Sequence, residues 1–586
     1  MAQPTAQTDR DLASISEARS LARRAKDAAP ALAELSQERI DAIVDAMAAA
    51  ATPQAEALAR LACEETGYGV VADKVQKNLF ASEKVYRFIR PMKTVGVVGR
   101  IEDRKIVEIA EPFGVVAAII PTTNPTSTAL YKILIALKAR CPIVLSPHPS
   151  AVGCITRAAE IMNEAACRAG APEGAINWMT TVTLEGTQEL MKAREVAVIL
   201  ATGGLGLVRA AYSAGKPAYG VGPGNAPAYI ERSADLAKAV RDIVTGKTFD
   251  NGLLCSSENS VVVDAPVADE VKRLFVANGA HFLSPQEIDS LGRALVTPQR
   301  LPNPAFVGKL ATYIAEQVGI PVAPDTRVLI AELAGVGRDY PLSIEKLCPV
   351  LSFYIVNDWK EGCERCKQIL KYGGMGHTLG IHSRNEEVIL QFGLQKPASR
   401  IVVNTPATLG SIGLTTSLDP AMTLGCGGWG GNITSDNISP RHLLNIKRLA
   451  YETSPAPVRR DLPALTVAPG LPKAPAEPRI PGGIPAESLA RRIDQFLASR
   501  GYTAPSPTIP SGVRVGDNRM AGSAVQAVAP SEKPVAEPTD FVCEDDVRQA
   551  VRQGRKIVIG ERTIVTPAAR DLGEERKVFV QVGWPR

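Results

Sequence analysis

The chain has 586 residues, several times the usual domain length of roughly 100–200 residues. Its 45% hydrophobic and 22% charged residues are typical of a globular protein that buries a core. With 66 basic against 61 acidic residues, the net charge of +5 excludes a strongly basic nucleic-acid-binding surface. We find no run of about 18 apolar residues, so no membrane span is predicted. The polar residues 1–10 argue against a secretory signal, and ten irregularly spaced cysteines predict reduced thiols in the cytoplasm.

Proline density divides the chain into a body and a tail. Of the 44 prolines, 15 lie between residues 455 and 538, against 27 in the first 454 residues. Proline fixes φ and lacks an amide donor, so a Pro/Ala-rich stretch behaves as an extended linker. We therefore predict a body that ends near residue 450, followed by linkers at 455–485 and 502–540.

The body begins with helical patterns and continues with alternating strands and helices. Apolar residues spaced three and four apart predict helices at 12–28, 37–50 and 55–66. Three continuous apolar runs predict buried strands at 114–120, 142–146 and 196–200, each followed by a helical stretch, at 126–140, 152–169 and 207–214. This order indicates an α/β fold whose parallel sheet is covered on both faces. Ligands of such sheets bind beyond the carboxyl ends of the strands.

Two segments that follow predicted strands are candidates for a binding site. In PTTNPT at 121–126, Asn124 is either a turn residue or an amide donor that points into a site. In ATGGLGL at 201–207, the glycines and the start of a helix could approach a pyrophosphate. As a dinucleotide fingerprint this second segment is incomplete, because Arg209 stands where a third glycine is required.

Among the cysteines, Cys255 has the setting of a nucleophile. It lies in FDNGLLCSSE at 249–258, a loop predicted between a helix that ends near Lys247 and a strand at 260–264. A cysteine at such a junction can be partly exposed and close to backbone donors, although a structural thiol remains the alternative. Cys363 and Cys366 form a single CxxC without a second pair or a nearby histidine, so no metal site is predicted.

Several ordered motifs resemble the CoA-acylating aldehyde dehydrogenases of the aldehyde dehydrogenase superfamily. They are FDNGxxCxSE at 249–258, ATGG at 201–204, AYSxGKP at 211–217 and GVGPGN at 220–225. EKLCP at 345–349 resembles the Glu-x-x-x-Pro motif of the superfamily. LGCGGWGGN at 424–432 and HLLNIK at 442–447 resemble the aldehyde dehydrogenase half of the bifunctional aldehyde–alcohol dehydrogenases. The resemblance covers roughly residues 10–450.

The resemblance implies three structural parts and a homo-oligomer. A Rossmann-like cofactor domain would occupy residues 1–242 and be completed by about 428–450, which also belong to a small β extension for oligomerisation. The catalytic domain would occupy residues 243–427. The tail cannot be an iron-dependent alcohol dehydrogenase domain, because that domain needs several histidine ligands and the last of the five histidines is His442.

The resemblance also implies roles for individual residues. Cys255 would attack the aldehyde to give a thiohemiacetal, with the oxyanion held by Asn124 and the Cys255 backbone amide, and hydride transfer to NAD would leave a thioester on Cys255. His377, in GHT at 376–378, matches a motif near the active site, although a histidine that only bonds a loop is the alternative. Glu345 would hold the nicotinamide ribose. The remaining cofactor-binding residues implied by the motifs are Pro121, Thr122, His148, Thr202, Gly203 and Gly204.

The fate of the thioester decides the class of enzyme. Hydrolytic members carry a Glu in Glu-Leu-Gly-Gly that activates water, whereas the matching GVGPGN at 220–225 has no acidic residue. The resemblance therefore implies transfer to coenzyme A, giving acyl-CoA from a short-chain aldehyde. Propionaldehyde is favoured by resemblance only, and acetaldehyde stays open because one methylene is worth only about 1–3 kcal/mol. The alternatives are a hydrolytic dehydrogenase and a scaffold that recruits partners through its tail.

The tail contains one amphipathic segment at 486–501. Leu489, Ile493, Phe496 and Leu497 share one face of a predicted helix, with Gly501 as its stop. The helix would dock on its own body or bind a groove of another protein. On a long linker it resembles the encapsulation peptides of bacterial microcompartment cargo, which implies shell or cargo partners and a place in the microcompartment lumen within the bacterial cytoplasm. Residues 541–586 predict a small ordered segment, which we interpret as a second interaction segment.

Overall fold

The computed structural model describes residues 6–456, 486–500, 539, 541–560 and 563–581. The chain divides into two compact units, Met1–Arg459 and Arg460–Arg586. Apart from residues 455, 456 and 539, the predicted linkers lie outside the described residues, as does the predicted stop at Gly501.

Within residues 6–456 the strands are numbered in chain order: β1 (Gly96–Ile101), β2 (Ile106–Pro112), β3 (Val115–Ile120), β4 (Ile143–Pro147), β5 (Ile176–Trp178), β6 (Val196–Thr202), β7 (Ala218–Val221), β8 (Ala226–Ile230), β9 (Glu258–Asp264), β10 (Ala280–Phe282), β11 (Val328–Glu332), β12 (Val350–Val356), β13 (Gly376–His382), β14 (Ala398–Val403) and β15 (Leu444–Ala450).

The α-helices of the same unit are α1 (Ala6–Ala33), α2 (Gln37–Ala51), α3 (Ala55–Thr66), α4 (Val71–Leu79), α5 (Tyr86–Ile89), α6 (Pro125–Lys138), α7 (Val152–Arg168), α8 (Leu184–Lys192), α9 (Leu205–Tyr212), α10 (Leu236–Thr248), α11 (Ala268–Ala277), α12 (Pro285–Leu295), α13 (Ala311–Val318), α14 (Trp359–Tyr372), α15 (Glu386–Leu394) and α16 (Ala407–Ser411). No helix in the described part of the chain is both long and apolar enough to cross a bilayer.

Two parallel sheets form the centre of this unit. The first has the strand order β5-β4-β3-β6-β7, and the second has the order β10-β11-β12-β9-β8-β13-β14. All six residues of β3 are buried, as are all seven of β9, because helices cover both faces of each sheet. The predicted α/β class and the three predicted strands in the first sheet are therefore confirmed.

The chain passes from the first sheet to the second shortly after β7. β8 pairs with β9 and β13 in the second sheet, so the passage lies between Val221 and Ala226. The domain boundary at residue 242 that the resemblance implies stays a prediction.

A third, antiparallel sheet joins the end of the body to its middle. Its order is β1-β2-β15, with Ile446 of β15 opposite Ala110 of β2. This is the small β extension that the sequence predicts around residue 450; its role in oligomerisation remains a prediction.

The second unit contains an exposed helix and a small α/β module. The helix is α17 (Ala486–Ser499), and its predicted apolar face, formed by Leu489, Ile493, Phe496 and Leu497, is between 38% and 59% exposed. The module consists of β16 (Phe541–Val542), α18 (Glu544–Gln553), β17 (Ile557–Ile559), β18 (Ile564–Val565), α19 (Pro567–Glu575) and β19 (Phe579–Gln581). β16 pairs with β18 and β17 with β19, both in parallel, around a core that includes Val547 and Ala569.

Candidate active site

A cavity of about 480 Å³ lies at the carboxyl ends of β3, β4 and β6. Its walls also include the loop before β9 and the segment around Glu345, which belong to the part of the chain that builds the second sheet. Cavities of this size hold small-molecule ligands. All predicted site residues except His377 line this cavity: Pro121, Thr122, Asn124, His148, Thr202, Gly203, Gly204, Cys255 and Glu345.

The loop before β9 presents Cys255 to the cavity. A short 3₁₀ turn, Phe249–Gly252, contains Asp250 and Asn251 with φ of 48° and 54°, a left-handed conformation that Asp and Asn tolerate better than other side chains. The Asn251 side chain donates to the carbonyl oxygen of Gly308 at 2.9 Å and so holds the turn. The chain then runs past the part-buried Cys255 into β9.

His377 contacts Cys255 from behind the cavity wall. Its Nε2 lies 3.2 Å from Cys255 Sγ, and its Nδ1 lies 2.9 Å from Thr378 Oγ1. Burial and the Arg400 guanidinium lower the pKa of His377 to about 3. Burial, and then the Glu345 carboxylate, raise the pKa of the Cys255 thiol to about 12. The resting pair is therefore a neutral thiol beside a neutral imidazole, in which Nε2 can accept the thiol proton when a carbonyl arrives.

Arg400, on β14, supports His377 and was not predicted from the sequence. Its Nη2 donates to the carbonyl oxygens of His377 at 3.1 Å and Gly425 at 2.6 Å, and its Nη1 donates to that of Ser435 at 3.1 Å. The buried guanidinium thus joins the start of β13 to the glycine-rich segment at 424–432. An arginine inside a strand carries no sequence signal of such a role.

Asn124 stands just before α6, but its side chain does not cap that helix. Its Oδ1 accepts a hydrogen bond from Lys77 Nζ at 2.6 Å, and its Nδ2 donates to Thr123 Oγ1 at 3.1 Å. One N–H of the amide remains available at the cavity wall. Lys77 is a second residue that the sequence analysis missed, because it lies on a different helix, α4.

The GVGPGN loop at 220–225 packs between Cys255 and Glu345. The Gly224 amide donates to Glu345 Oε1 at 2.9 Å, and burial raises the pKa of Glu345 to about 7 despite this bond. A side chain on Gly224 would collide with the carbonyl oxygen of Cys255 and approach the His377 ring, so only glycine fits here. The loop therefore brings backbone, and no carboxylate, to the nucleophile.

The residues on the other side of the cavity are of the kinds that could hold a nicotinamide dinucleotide. The hydroxyl of Thr202 is buried and has no hydrogen-bond partner among the described residues, so it is free to bond a ligand in the cavity. The chain reverses into α9 through Gly203 and Gly204, which leaves backbone close to the cavity. His148 lies at the same side of the cavity, and burial lowers its pKa. Neither Lys nor Arg lines the described cavity.

The residues described contain no group of three or more His, Cys, Asp or Glu side chains arranged to hold a metal ion. Cys363 and Cys366 of the CxxC lie buried on α14, where Cys363 Sγ contacts Lys396 Nζ and Gln395. Both cysteines are therefore packed in the core on one helix.

Comparison with known proteins agrees with this fold. Residues 5–284 match the model of the aldehyde dehydrogenase family. The bifunctional aldehyde-alcohol dehydrogenase of Escherichia coli K12 is 42% identical over 441 residues, which are 74% of this chain and 49% of that protein. The chain thus spans about half the length of these bifunctional relatives.

Two solved structures resemble the chain over most of its body. An acetylating aldehyde dehydrogenase from Geobacillus thermoglucosidasius is 50% identical with a TM-score of 0.75, covering 77% of this chain and 99% of its own. A propionaldehyde dehydrogenase from the fucose utilisation bacterial microcompartment of Clostridium phytofermentans is 28% identical with a TM-score of 0.67, covering 75% and 98%. The chain belongs to the aldehyde dehydrogenase family.

Proposed function

We propose that the chain oxidises a short-chain aldehyde to the corresponding acyl-CoA, with NAD as oxidant and coenzyme A as acyl acceptor. The observation that carries the proposal is the contact of Cys255 Sγ with His377 Nε2 at 3.2 Å. It lies at the wall of a cavity that is also lined by Asn124 and by Thr202, whose hydroxyl has no partner among the residues described. A nucleophile, an oxyanion donor and a place for a dinucleotide would thus share one cavity, with a proton acceptor in contact with the nucleophile behind the cavity wall.

The first step uses only groups of the chain. Cys255 Sγ attacks the carbonyl carbon while His377 Nε2 takes the thiol proton, and the developing oxyanion accepts hydrogen bonds from Asn124 Nδ2 and the Cys255 backbone amide. A donor of this kind is typically worth about 3 kcal/mol in the transition state. The bound nicotinamide supplies the hydride acceptor that converts the thiohemiacetal into a thioester on Cys255.

The residues around the cavity favour NAD over NADP. Thr202, Gly203 and Gly204 would lie along the dinucleotide, Pro121 and Thr122 would line it, and Glu345 would accept hydrogen bonds from the nicotinamide ribose. The 2′-phosphate of NADP is normally paired with a cationic side chain. The described lining has no Lys or Arg, and desolvation lowers the pKa of His148 near the adenosine end, which disfavours its cationic form.

Acyl transfer to coenzyme A is favoured over hydrolysis by the loop at 220–225. That loop contributes backbone alone, and the neighbouring Glu345 carboxyl is engaged by the Gly224 amide. Water at Cys255 therefore lacks a dedicated carboxylate base, whereas a thiol is a much stronger nucleophile than water toward the thioester. Hydrolysis to the free acid is the alternative from the same fold.

Apolar side chains near Cys255 favour a small uncharged aldehyde. They are Leu253, Leu254, Ile412, Met422 and Leu424. A carboxylate or sulfonate on the substrate would lack a cationic partner in this described lining. We place propionaldehyde first, as the family resemblance implies, and acetaldehyde second. The structural relatives support both, since one at 28% identity is a propionaldehyde dehydrogenase and one at 50% identity is an acetylating aldehyde dehydrogenase.

For the tail we propose encapsulation in a bacterial microcompartment. The support is the exposed apolar face of α17, together with the microcompartment source of one structural relative. A helix of about 15 residues is marginal in water and needs a surface to cover that face. Shell or cargo proteins would bind residues 486–501. In the body of the chain, the three-stranded sheet β1-β2-β15 would mediate homo-oligomerisation. The alternative function of a different class is a scaffold that recruits partner proteins through its tail and in which catalysis is of minor importance.

The test is an assay of aldehyde, NAD and coenzyme A that follows NADH by absorbance and the thioester by mass spectrometry. Propionaldehyde should give equal amounts of NADH and propionyl-CoA, and Cys255→Ala should give neither. NADH formation at an unchanged rate without coenzyme A would favour the hydrolytic enzyme. Full activity of Cys255→Ala would overturn the nucleophile assignment, and negligible activity of the wild type would favour the scaffold.

A further inference from the structure

Lys77 lies buried between the proposed oxyanion donor and the loop that carries the nucleophile. Its Nζ donates to Asn124 Oδ1 at 2.6 Å and also contacts the carboxylate of Asp250, five residues before Cys255. Lys77 and Asp250 are at most 2% exposed. Asp250 is held in turn by the Val70 amide, which donates to its Oδ1 at 2.7 Å. One ammonium therefore joins α4, Asn124 and the turn before Cys255.

We infer that Lys77 is a positioning residue for the oxyanion site: its ammonium holds Asn124 Oδ1, so that the Nδ2 donor faces the aldehyde oxygen. The inference rests on the proposed function, in which Asn124 stabilises the oxyanion. A side-chain amide has two nearly equivalent orientations, and only its hydrogen-bond partners decide between them. With Oδ1 turned to the cavity, a partial negative charge would face the developing oxyanion and oppose catalysis.

The ammonium does more than fix an orientation. A hydrogen bond from a charged donor is roughly twice as strong as a neutral one, and it polarises the amide so that Nδ2–H becomes a better donor. Burial lowers the pKa of Lys77 to about 8, with Asp250 opposing the shift, so the side chain is mainly protonated at pH 7.

Lys74 provides a matched comparison on the same helix. Its Nζ donates to Asp250 Oδ2 at 3.0 Å and to the Thr123 carbonyl oxygen at 3.2 Å, but the structure gives it no bond to the Asn124 side chain. Both lysines are 2% exposed. Removing either one takes a cation from Asp250, and removing Lys77 also frees the Asn124 amide.

The experiment compares Lys77→Met with Lys74→Met in the full chain, and combines each with Asn124→Ala. Two reactions are followed: acyl-CoA formation, and the release of p-nitrophenolate as p-nitrophenyl acetate acylates Cys255, which also forms an oxyanion on a thiol nucleophile but needs neither NAD nor coenzyme A. Thermal midpoints report on folding. If the wild type cleaves the ester but makes no acyl-CoA, the proposed function fails while the ester reaction still tests Lys77.

Lys77→Met should lower kcat by about 10- to 100-fold in both reactions, somewhat less than the typical loss of an oxyanion donor, with KM for aldehyde little changed. Lys74→Met should lower the thermal midpoint to a similar extent but kcat far less. In the Asn124→Ala background, Lys77→Met should lower kcat hardly any further, because the effects of two residues that act through one another are not additive. Two results would overturn the inference. One is an equal loss of kcat in the two lysine variants, and the other is a Lys77→Met effect on kcat that is as large in the Asn124→Ala background as in the wild type.

Should Lys77→Met fail to fold, Lys77→Gln takes its place, since its amide can still donate to Asn124 Oδ1 without charge. The weaker neutral donor should lower kcat by about 3- to 10-fold, and the loss should vanish in the Asn124→Ala background. An unchanged kcat in Lys77→Gln, or the same loss in both backgrounds, would contradict a role for the ammonium.

Discussion

His377 Nε2 lies 3.2 Å from Cys255 Sγ, and the surroundings of the pair keep both groups neutral. A preformed thiolate–imidazolium pair would need the pKa of the thiol to lie below that of the imidazole. Ordinary thiols already have the higher pKa, and here burial widens that difference. The nucleophile is therefore generated by proton transfer during attack on the carbonyl, so reactivity toward an aldehyde and reactivity toward an alkylating agent should respond differently to pH.

The first prediction concerns alkylation of Cys255 by iodoacetamide, which reacts with the thiolate. Because the pKa of Cys255 is raised to about 12, the labelling rate should still be rising at pH 9.5, whereas an ordinary cysteine with a pKa near 8.5 levels off there. Peptide mass spectrometry follows the Cys255 adduct separately from those of the other cysteines, and free glutathione in the same reaction serves as the ordinary thiol. A plateau for Cys255 below pH 8 would contradict the neutral pair.

The second prediction concerns His377→Asn. If Nε2 accepts the thiol proton, its loss should lower kcat for aldehyde oxidation by about 10²- to 10⁴-fold, the usual contribution of a general base. Alkylation of Cys255 at pH 9.5 should change much less, since hydroxide then removes the proton. The measurement is steady-state kinetics beside the labelling rate. Equal losses in the two reactions would instead favour a histidine that only supports the loop.

The third prediction concerns the pH dependence of NAD use. Burial raises the pKa of Glu345 to about 7, so the carboxylate that would hold the ribose hydroxyls is protonated below that pH. The kcat/KM for NAD should therefore rise as the pH increases from 5.5, reach half of its maximum near pH 7, and level off above about pH 8. Glu345→Gln cannot ionise and should give a lower, flatter profile over this range. If Glu345→Gln showed the same rise of kcat/KM with pH, the rise would be caused by another titrating group.

Contiguous motifs are what made the centre of the site predictable. FDNGLLCSSE at 249–258 is a single stretch of chain, and it marks Cys255 without any knowledge of the fold. The continuous apolar runs similarly predict β3, β4 and β6, because strands buried on both faces need no polar alternation.

The residues and strands that could not be predicted from the sequence depend on contacts between distant segments of the chain. Lys77 bonds Asn124, which is 47 residues away in the sequence, and Arg400 bonds the His377 backbone, which is 23 residues away. Neither residue therefore shares a motif with its partner. The short strands β5 and β7 have three and four residues, too few for a recognisable pattern. Their place in the sheet depends on hydrogen bonds to longer neighbours.

The fourth prediction concerns Gly224, which lies against the nucleophile. An added methyl group would collide with the Cys255 carbonyl oxygen and crowd the His377 ring. Gly224→Ala should therefore shift Cys255 and lower kcat by about 10²-fold, the typical effect of misplacing a reacting group by 1 Å. Gly428→Ala is the matched control, because the described residues place no heavy atom within 4 Å of its added methyl group. Similar kcat values for the two variants would refute the close approach.

The fifth prediction separates the tail from catalysis. The cavity is lined by residues between Ile119 and Leu424, and the chain beyond residue 459 forms a separate compact unit. A variant that ends at Ala456 should therefore keep the kcat and KM of the full chain. A full-length variant with Leu489→Asp and Phe496→Asp, which makes the apolar face of α17 polar, should keep them as well. Both variants should lose co-sedimentation with shell proteins if α17 is the binding helix. If both variants instead lose activity to a similar extent, the apolar face packs on the catalytic body and encapsulation is not its purpose.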